Sequence, residues 1–430
     1  MFEEETNQIR DTIAARRDDL VELASTLIAF PTVSPPGRNT GEAQAFVASY
    51  LAGLGFAVEQ FDVYPGDPNV VGRLAGSAPE SSASLLINGH IDVAEVGSPE
   101  LWTRSPFEPA VVTGRLSGRG ATDMKGPLAA ALLAIRVVRE LGIDLRGDLL
   151  FESVIGEEQG EAGTLTCIER GYAADLALVA EPTNLTISGQ GGVITGWIEI
   201  QSPETLHDGM RSRVIHAGGG IRGANAIEKM MKMIAALQEL ERDWAVLKRY
   251  PGFGPGANTI NPAVIEGGRH PAFMADRCAL WITVHFYPDE RWETVTAEIE
   301  DHLLRAAAAD SWLRDHPPTF RWGGRSMIED RGEIFPASAF DREHPGVRAL
   351  ADAHEAVHAI APGYAMWPSV SDAGWLASAG MQTVIYGPGQ LAQAHVIDEW
   401  IEIDALMRAA QVYAELIVRW CNSPKPAAPK

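Results

Sequence analysis

Apolar residues recur at helical spacing near the start of the chain: Ile9, Ile13, Leu20, Leu23, Leu27 and Ile28. The spacing predicts a helix over 6–30, ended by Pro31 and the loop Ser34-Pro35-Pro36-Gly37. A second helix is predicted over 41–54, stopped at Gly55. The pattern then shortens to strand-like runs at 57–61, 69–74 and 84–88. The last holds the short apolar run Leu85-Leu86-Ile87, consistent with a central strand. Positions 127–141 read as a helix with Pro127 in its first turn, where a missing N–H costs nothing. Strands at 148–155 and 175–180 flank a helix at 161–170. This alternation predicts an α/β fold, a sheet covered by helices on both faces, with its site beyond the carboxyl ends of the strands.

From about residue 193 the order changes. Strand-like 193–201, helix 223–240, strand-like 259–266 and 277–287, helix 289–308 and strand-like 318–322 give β-α-β-β-α-β, a ferredoxin-like unit. Helix 344–360, a strand at 382–386 and helix 402–420 then return to the first pattern. The expected organisation is an α/β domain in two pieces, 1–192 and 336–430, with an inserted α+β domain at 193–335. The tail 423–430, rich in Pro, Lys and Ala, reads as disordered.

Candidate chemistry falls at the predicted strand ends. His90 and Asp92 stand in Gly89-His90-Ile91-Asp92-Val93, after strand 84–88. Spacing by two puts both side chains on one face of an extended segment, so Asp92 is placed to fix the His90 tautomer. Asp123 lies in a Gly-rich loop, Gly120-Ala121-Thr122-Asp123-Met124-Lys125-Gly126, with Lys125 as a possible counter-charge. Glu157 and Glu158 follow strand 148–155 side by side, and in an extended segment they would point opposite ways. Glu181, before Pro182, follows strand 175–180, and His395 follows Ala394. Each has an ordinary reading alone: a surface His, a capping Asp, solvated acids. Together they form a mixed N/O ligand set that suits zinc or a similar divalent ion, with a spare Glu as general base. His216 sits among glycines in the inserted domain, in a loop that could approach a ligand.

Bulk properties narrow this further. The chain has 430 residues, 46% hydrophobic and 21% charged, with a formal net charge of −22. That charge argues against nucleic acid or an anionic membrane as partner. Cys167, Cys278 and Cys421 are scattered, without metal or disulfide spacing, and point to a reducing cytosol. The acidic start Met1-Phe2-Glu3-Glu4-Glu5 is unlike a signal peptide, and no apolar run is long enough for a membrane span. A cytoplasmic protein is expected.

Taken in order, the motifs Gly-His-x-Asp-Val, Gly-x-x-Asp-Met-Lys-Gly, Gly-Glu-Glu-x-Gly, Glu-Pro-Thr and a late His resemble the M20 family of metallopeptidases and deacylases. The resemblance runs from about residue 18 to about 420 and is nearest to the group of acetylornithine deacetylase and succinyl-diaminopimelate desuccinylase. It implies a zinc-exopeptidase-like catalytic domain with an inserted lid and dimerisation domain, and a homodimer. It also implies two divalent ions, zinc with cobalt or manganese as alternatives, bridged by Asp123. His90, Asp123 and Glu181 would hold one; Asp123, Glu158 and His395 the other. Glu157 would be the general base, Asp92 the orienting acid, and His216 a lid residue reaching the partner's site.

Asn261, in Asn261-Pro262-Ala263-Val264, matches a substrate-contacting lid position. Glu181, rather than Asp, leans toward a deacylase. One position departs from the family. Relatives often carry an Arg that grips a substrate carboxylate, where this chain reads Ser371-Asp372-Ala373-Gly374. Arg222, Arg277 or Arg325 would have to replace it, or the substrate lacks that carboxylate. The implied activity is hydrolysis of an N-acyl amide of a small amino acid or related amine. An exopeptidase or an N-carbamoyl or N-formyl amine hydrolase is the alternative, and a catalytically silent metal-binding protein the remote one.

Overall fold

The structure, a computed structural model, describes residues 2–215 and 223–427. The chain divides into two compact units, residues 1–190 with 338–430, and residues 191–337.

The first unit is built on an eight-stranded mixed sheet. Its order is Ala57–Tyr64, Asp67–Leu74, Leu149–Val154, Leu85–His90, Leu176–Val179, Gln382–Ile385, Ile187–Gln190 and Tyr364–Trp367. Leu85–His90 runs parallel to both of its neighbours, and Gln382–Ile385 runs parallel to Leu176–Val179. Asp67–Leu74 pairs antiparallel with Leu149–Val154. Alternation sorts the central strand: Leu85 and Ile87 join the larger core, and Leu86 joins a smaller one with Leu376 and Ile385. The larger core is completed by Phe2–Ala14, Arg17–Ala29, Lys125–Glu140, Pro345–His358 and Ile403–Cys421, while Gly163–Glu169 and Ala373–Ser378 lie on the smaller-core side. Both faces are therefore covered, which is why the central strands are buried throughout and mostly apolar.

The second unit has a sheet in the order Ile260–Gly267, Arg277–Phe286, Gly192–Gln201 and Thr319–Trp322, all antiparallel, with Ile334–Phe335 extending it beside Gly192–Gln201. Ala226–Leu247 and Trp292–Ala308 pack over it through Met230, Met233, Leu237, Ile299 and Leu303. The chain order β-α-β-β-α-β with these neighbours is the ferredoxin-like arrangement.

Local details differ from the periodicity. The helix expected over 6–30 is two helices, broken at Arg16, whose ion pairs with Asp19 and Glu140 are invisible to an apolar pattern. The helix expected from 127 starts at Lys125, which leaves Pro127 still in the first turn. Two short strands, Ile187–Gln190 and Tyr364–Trp367, and a small sheet of Ala110–Val112, Arg115–Ser117 and Trp400–Glu402 escape the pattern because each is four residues or fewer. Part of the tail expected to be disordered is tied down: Pro424 bridges to Ser82 and the Lys425 N–H donates to Ser81.

Candidate active site

The site lies wholly within the first unit, beyond the carboxyl ends of Leu85–His90, Leu149–Val154 and Leu176–Val179. His90 is the last residue of its strand and is 1% exposed. Its Nδ1 lies 3.0 Å from the backbone oxygen of Asp92. With Nδ1–H donating there, Nε2 is left facing Asp123 Oδ1 at 3.1 Å and Glu181 Oε1 at 3.7 Å. The tautomer is thus set by the Asp92 carbonyl and not by its carboxylate, which is 3.7 Å from Nδ1. The chain leaves the strand at Ile91, and this turns the Asp92 carboxylate toward the next loop. There it accepts from the N–H groups of Gly156 at 2.8 Å and Glu158 at 3.2 Å.

That loop also departs from expectation. Glu157 and Glu158 are not extended; they open a single 3₁₀ turn, Glu157–Gln159, launched by Gly156 at φ 78°. A side chain at 156 would be strained at that dihedral, and its Cβ would lie 2.5 Å from the Cβ of Glu161. The turn separates the two acids. Glu158 accepts from the Ala94 N–H at 2.8 Å and places Oε2 2.8 Å from His395 Nε2. Glu157 brings Oε2 to 3.9 Å from His90 Nε2.

Asp123 divides its oxygens, Oδ1 toward His90 and Oδ2 toward His395 Nε2 at 3.3 Å. The loop behind it closes at Gly126, where a Cβ would lie 2.1 Å from the Ala121 carbonyl oxygen. Lys125 is buried and donates to the Phe30 carbonyl at 2.5 Å, and burial first of all pushes its pKa down to about 7. It feels the charges of Asp92 and Glu399 but pairs directly with neither among the described residues. His395 is half-exposed and holds a left-handed backbone at φ 61°.

The electrostatics of this set are severe. Burial raises Asp92 to about 7 and Asp372 to about 6, and drives Glu157 and Glu181 well above the usual carboxylate range. Hydrogen bonds to Asp123 and Glu158 raise His395 to about 10. Burial opposes ionisation of His90 and Asp123, yet the hydrogen bond to Asp123 and the acids around it raise the histidine, and hydrogen bonds from His395 and then His90 lower the acid. Six carboxylates around two imidazoles call for added positive charge.

The donor geometry fits divalent ions. Ligand atoms at about 2.1 Å from a tetrahedral metal lie about 3.4 Å apart. The His90–Asp123, His90–Glu181, His395–Asp123 and His395–Glu158 separations are 3.1, 3.7, 3.3 and 2.8 Å. Ligand atoms of His90, Asp123 and Glu158, and of His90, Glu157 and Glu181, also lie within 4.8 Å of one another.

A model of Peptidase family M20/M25/M40 matches residues 86–419. The chain belongs to that family. It is 54% identical over 424 residues to an N-formyl-4-amino-5-aminomethyl-2-methylpyrimidine deformylase of Bacillus subtilis, covering 99% of this chain and all of the relative. It is 27% identical over 410 residues to an acetylornithine deacetylase of Erwinia tasmaniensis, covering 94% and 98%. Among solved structures, an M20 family metallo-carboxypeptidase, Sso-CP2 of Sulfolobus solfataricus, shares the fold with a TM-score of 0.74 at 18% identity, covering 94% of this chain and 99% of that one. This M20 protein is a hydrolase of an amide C–N bond, and metal binding follows from its family.

The remaining candidates fall elsewhere. His216 and Arg222 lie outside the described residues. Asn261 is exposed on Ile260–Gly267 in the second unit, and Arg277 there pairs with Glu199. Gly374 is buried in Ala373–Ser378. Trp367 and Tyr386, either side of Gly374 in the sequence, are buried, and the Tyr386 hydroxyl is hydrogen-bonded to His354.

Two acids escaped sequence reasoning. Asp372 is buried and accepts from the Thr164 hydroxyl at 2.8 Å, and its charge reaches Glu157 and Glu181. Glu399, fully buried, binds the Asp123 loop. The only signals were an Asp beside the departing Gly374 and an acid four residues after His395.

Proposed function

We propose that this M20 protein is a two-metal deformylase. It hydrolyses an N-formyl amine carried on an aminomethylpyrimidine to formate and the free amine. The observation that carries the two-metal reading is Asp123, whose two oxygens face two different histidines at 3.1 and 3.3 Å. His90, Asp123 and Glu181 would hold one ion, and Asp123, Glu158 and His395 the other; the N/O donor set suits zinc, and cobalt or manganese would also fit. The chemistry such ions supply is activation of water and stabilisation of charge on the carbonyl oxygen. Glu157 has no ligand role in this scheme. It takes the proton of the attacking water and returns it to the amine nitrogen as the C–N bond breaks. Asp92 holds the Gly156–Glu158 amides and so positions both acids.

The formyl specificity rests on the 54% identical relative and on Gly374. A formylated aminomethylpyrimidine carries no carboxylate, so a guanidinium at that position would have nothing to grip. The protein acts as a cytoplasmic homodimer through its second unit. The outer strand Ile260–Gly267, with Val264 and Ile265 exposed at 38% and 52%, is an open edge suited to such pairing.

The test is a panel of N-formyl aminopyrimidine, N-acetyl amino acids, an N-carbamoyl amine and dipeptides, with formate and amine release measured. Preference for the formyl compound by at least 100-fold in kcat/KM is expected. Preference for dipeptides or N-acetyl amino acids would overturn it.

A further inference from the structure

Residues 118–123 carry Asp123 but form no helix or strand of their own. Their hydrogen-bond donors converge instead on one side chain from a distant part of the chain. Glu399 Oε2 accepts from the Arg119 guanidinium at 2.8 Å and the Gly120 N–H at 3.1 Å. Its Oε1 accepts from the N–H groups of Thr122 at 2.7 Å and Asp123 at 3.0 Å. Its backbone oxygen accepts from the Gly118 N–H at 2.9 Å, and the next residue, Trp400, accepts from the Thr122 hydroxyl at 2.7 Å. Glu399 follows His395 by four residues.

We propose that Glu399 is a positioning residue: it fastens the loop that carries His395 to the loop that carries Asp123, and so fixes the spacing of these two donors. This rests on the reading that both hold metal. A buried ion pair is a poor device for stability, since its desolvation cost offsets its attraction. Arg119 and Glu399 are 1% and 0% exposed, and an apolar pair of similar volume would serve packing as well. An apolar pair could not accept the amides of Thr122 and Asp123. Four donors on one carboxylate define the path of the loop, and the Arg119 guanidinium extends the tie to the Glu95 carbonyl at 2.8 Å. Small errors here move a ligand relative to its partners, and displaced support of this kind typically weakens metal binding by about 10- to 100-fold.

The experiment compares full-length wild type, Glu399→Gln and Arg119→Met. Zinc affinity and stoichiometry are read by competition with a chromogenic chelator, and folding by circular dichroism and Tm. Gln puts a carboxamide NH2, itself a donor, where two N–H donors point, so Glu399→Gln should weaken one of two ions about 10- to 100-fold, lower kcat and leave KM nearly unchanged. Arg119→Met keeps the bonds to Thr122 and Asp123. It should lose less zinc affinity than Glu399→Gln even where it loses more Tm. Wild-type zinc affinity in Glu399→Gln overturns the proposal and leaves the two-metal reading standing. Affinity losses that track Tm across the two variants overturn it in favour of a purely structural pair. A wild type that binds no ion overturns the two-metal reading, and the proposal with it.

Discussion

Glu157→Gln separates the base from the ligands. Its side chain is 11% exposed and sits 3.9 Å from His90 Nε2. The neighbouring acids are all engaged: Asp92 holds two amides, Glu158 holds Ala94 and His395, Asp372 holds Thr164, and Glu181 faces His90. Among the described residues, no nearby carboxylate is left without a partner to take over proton transfer. The loss should therefore reach the upper part of the range for a general base, about 10³- to 10⁴-fold in kcat, or about 4 to 5.5 kcal/mol of barrier. The assay is formate release over a substrate series, with metal content by elemental analysis. KM should change less than threefold and two ions should remain. The acid limb of the wild-type pH profile should also vanish in the variant. Burial first, and then the charges of Glu181, Asp372 and Glu158, raise the Glu157 pKa against the opposing pull of His90. A kcat loss below tenfold refutes the base assignment. Loss of one ion refutes it differently: Glu157 would then be a ligand in the set with His90 and Glu181.

Three further outcomes follow from the geometry. Glu152 is fully buried, and burial first of all lifts its pKa from 4.5 to about 8. The folded chain then holds one proton more than the unfolded chain between these values. The stabilisation is complete below 4.5 and is lost as pH rises through 8, at about 1.4 kcal/mol per unit and about 5 kcal/mol in all. Glu152→Gln should remove that slope, so its Tm advantage over wild type should grow from pH 5 to pH 8; a constant difference across melts would refute this. Gly126→Ala would drive a Cβ to 2.1 Å from the Ala121 carbonyl, costing about 1–3 kcal/mol in denaturant melts and weakening zinc binding through the Asp123 loop. Chelation of the loaded wild type should lower its stability by about 4 kcal/mol when free metal had stood at about 1,000 times its Kd, and an unchanged Tm would count against a metal centre.

Much of this was legible in the chain because the chemistry sits in short stretches at strand ends. The strands 85–90, 149–154 and 176–179 are buried along their whole length, so apolar runs mark them, and the His and Glu that end or follow each run are the ones the fold delivers to one place. What escaped is of another kind. The extended reading of Glu157 and Glu158 failed because one left-handed glycine, Gly156, turns the chain before the pair. Asp92 was matched to His90 by strand spacing, but the strand ends at His90 and the spacing rule ends with it. Glu399 reaches Asp123 across 276 positions and Asp372 reaches Thr164 across 208, distances at which local pattern carries no signal.

The division has a physical basis. A metal-holding side chain must be one of a few types, at a strand end or in a tight loop, and short motifs reveal it. The groups that aim it need only be polar, buried and paired, and pairing is a property of the folded chain. Gly374 stands between the two cases. Its substitution for Arg is visible in sequence, but its meaning depends on the substrate. In a buried turn of helix two residues after Asp372, the missing guanidinium removes a positive charge from a neighbourhood already short of it. An enzyme that bound a carboxylate there would have to supply that charge from elsewhere. One that acts on an uncharged formamide would not, and this is the stronger reason to look for the substrate among neutral N-formyl amines.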